Sequence, residues 1–177
     1  TFPPSKPLFS WQFDGGYIAN YTSLLTAMEN KGIRVGLGAI VTQINGASNQ
    51  TINNASYASV EQLVDAYQRG HEILNHGSDA GIDMKPGTDV DESTLQYWVD
   101  YSYGVWRSFG VETPVWITSN GGGVLNQTSH LDPKYIPRIL QKHAVAQGRT
   151  DFPHQDGTQK ENLTFGADTP LNIEGLV

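Results

Sequence analysis

Short apolar runs alternate along this chain with segments whose apolar positions recur at helical spacing. Leu8 to Phe13 has the apolar and aromatic density of a strand, and Gly15-Gly16 after it predicts a turn. Leu24, Leu25 and Met28 then share one helical face, which ends at Lys31-Gly32. Arg34 to Ile44, rich in Val and Ile, predicts a second strand. Ser59 and Gln62 have the spacing of a capping box, and Val60, Leu63, Val64 and Tyr67 follow as an i, i+3, i+4, i+7 stripe. Arg69-Gly70 closes that helix with a basic last turn and a glycine beyond it. His71 to Asn75 predicts a third strand, and the Gly/Asp-rich residues 77–91 a loop. A longer helix carries Leu95, Trp98, Val99, Val105, Trp106 and Phe109 and stops at Gly110. Pro114 to Thr118 predicts a fourth strand, and Asp132-Pro133 starts a helix through Tyr135, Ile136, Ile139 and Leu140. His143 to Gln147 predicts a fifth strand, and residues 151–177 a polar, irregular tail.

Strand–helix–strand repeats of this kind imply right-handed crossovers and a parallel sheet with helices outside it. About five such units fit an α/β fold, either an incomplete or distorted (β/α) barrel or an open doubly wound sheet. The 177 residues read as one domain, with no linker before residue 150.

Composition narrows the function more than the fold. Only 16% of residues are charged, and the polar share falls to Asn, Ser, Thr, Gln and Gly, as on surfaces that face sugars or the extracellular medium. The formal charge of −7, with Lys and Arg scattered, argues against nucleic acid and anionic membranes. No apolar run reaches the about 20 residues of a membrane span, so no membrane insertion is expected. Thr1 opens no secretory leader, and the chain reads as a mature form or an excised domain. The absence of cysteine removes disulfides, thiolate metal sites and a Cys nucleophile. Five N-x-[ST] patterns, at Asn20, Asn49, Asn54, Asn126 and Asn162, fit an Asn/Thr-rich surface like those of bacterial and phage surface proteins.

Ligands meet parallel α/β folds at the carboxyl ends of the strands. Three polar clusters fall there: Asp14-Gly15-Gly16, Asn75-His76-Gly77-Ser78-Asp79, and Ser119-Asn120-Gly121. Each residue has an ordinary structural reading, as a turn former or a backbone-bonded histidine. Convergence of three strand ends favours a site. Gly36-Leu37-Gly38 lacks the third glycine of a dinucleotide loop, and no Gly-x-Ser-x-Gly elbow exists. Asp14 with Asp79 or Asp83 as a glycosidase pair stays open, with nothing specific to support it.

Phe13-Asp14-Gly15-Gly16, followed by Gly70-His71-Glu72-Ile73-Leu74-Asn75-His76, resembles the polysaccharide deacetylase (NodB homology) family over residues 8 to 150. That resemblance implies a distorted (β/α) barrel. It implies Asp14 as general base and His76 as the first metal ligand of a His-[Ser/Thr]-x-x-His motif. Gly15 stands where the family has a metal-binding Asp, and Ala80 where it has the second ligand His. Asp79 and Asp83 are close enough in sequence to substitute. The family's Arg-x-Pro-Tyr-like motif has no match near Ile117 to Gly121, though Asn-Gly there still offers backbone donors. The Leu-x-His motif that supplies its general acid has no counterpart either. His143 reads as a helix-end cap, and His154 as a solvated tail residue.

The expectation is a carbohydrate-facing domain with impaired or absent catalysis and no cofactor. It would serve as a glycan-binding or structural module of a cell-surface or phage-tail assembly, extracellular or on a virion, with other subunits as further partners. Asp14, His76, Tyr17, Ser119 and Asn120 are its candidate site residues. Of the aromatics that can stack on sugar, Trp116 on an inner strand reads as core, while Trp11 and Tyr17 stay available and Tyr17 is better placed. The alternative is an active metal-dependent deacetylase, a hydrolase of amide carbon–nitrogen bonds with zinc or a similar ion.

Overall fold

The computed structural model describes residues 11–45, 56–79, 89–118 and 133–147. Its five strands are β1 (Gln12–Phe13), β2 (Gly36–Ala39), β3 (Glu72–Asn75), β4 (Val115–Ile117) and β5 (Val145–Gln147). They form one parallel sheet in the order β1-β2-β3-β4-β5. Helix α1 begins as a π-helical turn, Asn20–Leu24, and continues as Leu25–Glu29; α2 is Val60–Gln68. Helix α3 runs through Glu92–Leu95, a π-helical Gln96–Tyr101 and Ser102–Ser108; α4 joins a 3₁₀ turn, Pro133–Tyr135, to Ile136–Ile139.

Strand order equals chain order, with no reversal. Right-handed crossovers then lay every helix on the same face of the sheet, as in a singly wound barrel. A doubly wound sheet would require a reversal. The sheet is nonetheless unclosed among the described residues, since β1 and β5 each pair on one side only. β2 is shorter than the pattern of Val and Ile predicts. Beyond Ala39 and its neighbour Ile40 the chain turns into a 3₁₀ segment, Val41–Gln43. There the Val41 and Thr42 N–H groups donate to the carbonyls of Gly77 and Ser78 at 3.0 Å, in the loop that leaves β3.

The period of two along the strands divides the sheet's faces. Leu37, Ala39 and Ile73 face the helices and pack with Leu25, Leu63, Ala66 and Trp106. Trp116 joins a second cluster with Trp98, Val99 and Ile139. The opposite face holds Gly36, Gly38, Leu74 and Ile117. A Cβ on Gly36 would lie 2.8 Å from Leu74 Cδ1, and one on Gly38 would lie 2.4 Å from Ile117 Cδ1. Two glycines on β2 therefore make room for the larger side chains of β3 and β4.

A polar clamp ties the amino end of β3 to the helices. The buried His71 accepts the Val35 N–H at Nδ1, so its Nε2–H donates to Glu29 Oε1 at 2.8 Å. Arg69 also binds Glu29 and reaches Asp65 Oδ2 at 2.8 Å. The His71 bond, with Arg69 beside it, holds the Glu29 carboxyl below its ordinary value. His71 of the Gly-His-Glu segment thus serves the fold, at the end of the sheet away from His76. No helix of the described residues is long and apolar enough to cross a membrane.

Candidate functional site

β3 ends in a side chain that points back into the fold. Asn75 sits on the helix face of the sheet. Its Nδ2 donates to Ser102 Oγ and to His143 Nε2, both at 3.0 Å, and its Oδ1 accepts the Gly77 N–H at 3.0 Å. Every polar atom of this amide is used, as full burial demands. His143 completes the set by donating Nδ1–H to the Ile139 carbonyl at 3.2 Å, which caps α4 as its place in the sequence suggests. Burial drives the His143 pKa down to about 4, so the ring is neutral at ordinary pH and its Nε2 can accept from Asn75. His143 lies behind the sheet and is unavailable as a proton donor at the strand ends.

Held by Asn75, the chain turns at Gly77, whose φ of +83° is a left-handed value that favours glycine. His76 is buried beside this turn, with its N–H bonded to the Ala39 carbonyl at 3.3 Å. Its Nδ1 lies 3.1 Å from the Ile117 carbonyl oxygen, which can only accept. In the neutral ring the lone pair therefore sits on Nε2, the tautomer that a ligating or proton-accepting histidine needs. Trp98 Nε1 donates to the Asp79 carbonyl at 2.9 Å and pins the far side of the loop.

The first strand end is built differently. Asp14 is exposed, and its Oδ1 accepts from Gln12 Nε2 at 2.8 Å. The same oxygen would lie 3.1 Å from a Cβ on Gly38, so the carboxylate extends over β2 toward the face that Ile117 occupies. Asp14 and His76 thus approach the Gly38–Ile117 contact from the ends of β1 and β3, with β2 between them. Gly15 (φ +89°) and Gly16 (φ +62°) then reverse the chain. Tyr17 bridges to Tyr57 on the segment before α2, with supporting bonds from Ile18 N–H to Ser56 O and from Ala58 N–H to Gly16 O, each 2.9 Å. The two tyrosine rings stack with centroids 5.2 Å apart at 18°. Burial raises the Tyr57 pKa, and the Tyr17 hydroxyl beside it adds to the rise. Tyr17 keeps 48% of its surface exposed.

Two glycines at the strand ends are each closed off by an aromatic ring. A Cβ on Gly15 would lie 2.5 Å from Tyr17 Cε2. A Cβ on Gly77, which stands where the His-[Ser/Thr]-x-x-His motif has Ser or Thr, would lie 2.3 Å from Trp98 Nε1. Both positions lack a side chain, and an aromatic ring closes each one. Among the described residues no three His, Asp or Glu side chains gather as a metal would require. Asp14 and His76 alone do not fit a divalent ion.

Ala80, Asp83, Ser119, Asn120 and His154 lie outside the described residues, and Asp79 is exposed. Trp116 is wholly buried, as its strand position predicts. Trp11 is exposed at the amino end of β1, away from Asp14. Sequence reasoning missed Tyr57 and Trp98 as parts of the site. Neither belongs to a motif, and only the fold brings them to Gly15 and Gly77.

No protein-family model matches the chain, and no curated protein does. Solved structures do. A de-N-acetylase from Aggregatibacter actinomycetemcomitans superposes with a TM-score of 0.65 at 12% identity, covering 86% of this chain and 67% of that one. IcaB from Ammonifex degensii gives 0.62 at 16% identity, covering 94% and 66%. The Streptococcus pyogenes deacetylase PplD, solved with acetate, gives 0.59 at 15% identity, covering 80% and 57%. The chain thus spans between 57% and 67% of the lengths of these three structures. With its parallel strands in sequential order and its helices outside, this chain has the fold of the polysaccharide deacetylases.

Proposed function

We propose that this domain is a carbohydrate-binding module on a deacetylase fold, with metal-dependent hydrolysis lost. One observation carries the reading: Tyr17 covers the Cβ position of Gly15, where the family's metal-binding carboxylate would begin. Metal-dependent deacetylation needs a Lewis acid on the carbonyl and a base for water, and loss of the former forfeits several kcal/mol of transition-state stabilisation. Asp14 alone does not replace it. The half-exposed Tyr17, stacked on Tyr57, offers instead a ring face suited to a pyranose. Two of the structures of the same fold are named for deacetylation, which supports a glycan as ligand. Such a module belongs on a cell surface or virion, where polysaccharide is met, and the uncharged polar composition agrees with that placement.

A second reading, an active deacetylase, is favoured by His76 alone, whose Nδ1 bond to Ile117 O leaves the ligating tautomer. Protein purified without chelator separates the two. We expect substoichiometric zinc, no acetate released from acetylated chito-oligosaccharides, and weaker glycan binding in Tyr17→Ala at unchanged melting temperature. Gly15→Asp should gain no metal. It should lose about 1–3 kcal/mol of stability, because a left-handed φ and the Tyr17 ring both oppose the new side chain. Stoichiometric zinc, with acetate release abolished by Asp14→Asn, would establish the enzyme instead.

A further inference from the structure

We infer that the strand-end site selects glycans bearing a free amino group, a hexosamine in its ammonium form, over N-acetylated or anionic ones; this rests on the glycan-binding reading above. The acids of the described residues are largely matched to cations. Glu29 binds Arg69 and His71, and Asp65 binds Arg69. Asp89 binds Lys134, Asp100 and Glu92 bind Arg138, and Glu112 binds Arg107. Asp91 caps α3 instead. Asp14 is different. It is exposed at a strand end, its one bond is to the neutral amide of Gln12, and no Lys, Arg or His of the described residues ion-pairs with it.

This unmatched carboxylate opens the same turn that presents the Tyr17–Tyr57 stack. A carboxylate and electron-rich ring faces together form the recognition chemistry of an ammonium ion on a sugar. The carboxylate accepts charged N–H donors, and the rings attract the cation while stacking on the ring C–H groups. Acetylation removes both the charge and two of the donors. A uronate or phosphate would meet the like charge of Asp14 on a chain whose net charge is already −7.

The test compares binding of a glucosamine hexamer, an N-acetylglucosamine hexamer and an oligogalacturonate by calorimetry at mildly acidic pH. The amine hexamer should bind about tenfold tighter than the acetylated one, equal to about 1.4 kcal/mol. The preference should disappear in Asp14→Asn, persist in the charge-matched Glu112→Gln, and shrink as salt is added to the wild-type protein. Tyr17→Ala should weaken both hexosamine ligands. Equal or tighter binding of the acetylated hexamer overturns the inference and leaves the glycan-binding reading standing. So does a preference that Asp14→Asn leaves intact or that Glu112→Gln removes equally. If Asp14→Asn does not fold, an amine preference insensitive to salt overturns it. Binding of none of the three ligands sinks both readings.

Discussion

At the scale of single residues, Asn75 and His143 connect the site to the core. His76 is the residue that the sequence motif singles out, but the amide before it decides where the turn lies, by satisfying the Gly77 N–H on one side and Ser102 and His143 on the other. The arrangement needs a neutral His143, because a protonated Nε2 would turn a donor toward the donors of Asn75. Linkage gives the sign. The folded pKa, about 4, lies below the ordinary 6.5, so the contribution to stability is complete above pH 6.5 and is lost as pH falls toward 4. It is of order 3 kcal/mol, about 1.4 for each pH unit of the difference. Glu29 and Asp65 are both held below their ordinary values and titrate beneath most of this window. Unfolding free energy measured from pH 7 to pH 4 should therefore slope downward, and His143→Gln should flatten the slope by up to one proton. An unchanged slope in that variant would remove His143 from the account.

At the scale of elements, the best-read segment is α2, where local chemistry and tertiary packing agree. Ser59 Oγ accepts the Gln62 N–H at 3.3 Å and Gln62 Oε1 accepts the Ser59 N–H at 2.8 Å, the reciprocal cap that the spacing predicts. Ser59→Ala should cost about 1 kcal/mol, read as a lower denaturation midpoint with the denaturant slope unchanged. A cost near zero would mean that packing of Leu63 and Ala66 alone holds the helix. α3 is legible in extent but not in winding. Its Trp and Val positions mark a helix, while the π-helical Gln96–Tyr101 leaves no trace in the pattern. That turn carries Trp98, which must reach both Trp116 in the core and the Asp79 carbonyl in the site loop. β2 was misread in length for a related reason. Val and Ile continue past Ala39, but the residues from Val41 are buried by bonding to the loop after β3 and not by strand pairing.

At the scale of the molecule, the unclosed sheet makes its own prediction. β2, β3 and β4 are paired on both sides and should hold the slowest-exchanging amides, while β1 and β5 should exchange early by hydrogen exchange and mass spectrometry. If β1 and β5 proved as protected as β3, segments beyond the described residues would have to pair with those edges and close the barrel.

The sequence by itself determined the alternation of strands and helices, because the periods of burial and the glycine and capping signals are local and lie within a few residues of the elements they set. It also determined which chemical groups could never be present, since no fold supplies a carboxylate at Gly15. Only the tertiary structure decided what fills those positions. The Tyr17 ring over Gly15, Tyr57 against Tyr17 and Trp98 against Gly77 are meetings of segments distant in sequence or turned by left-handed glycines. The same holds for His143. Its place near a helix end was visible, but its neutrality and its hold on Asn75, 68 residues away, come from burial that only the packed sheet and helices create.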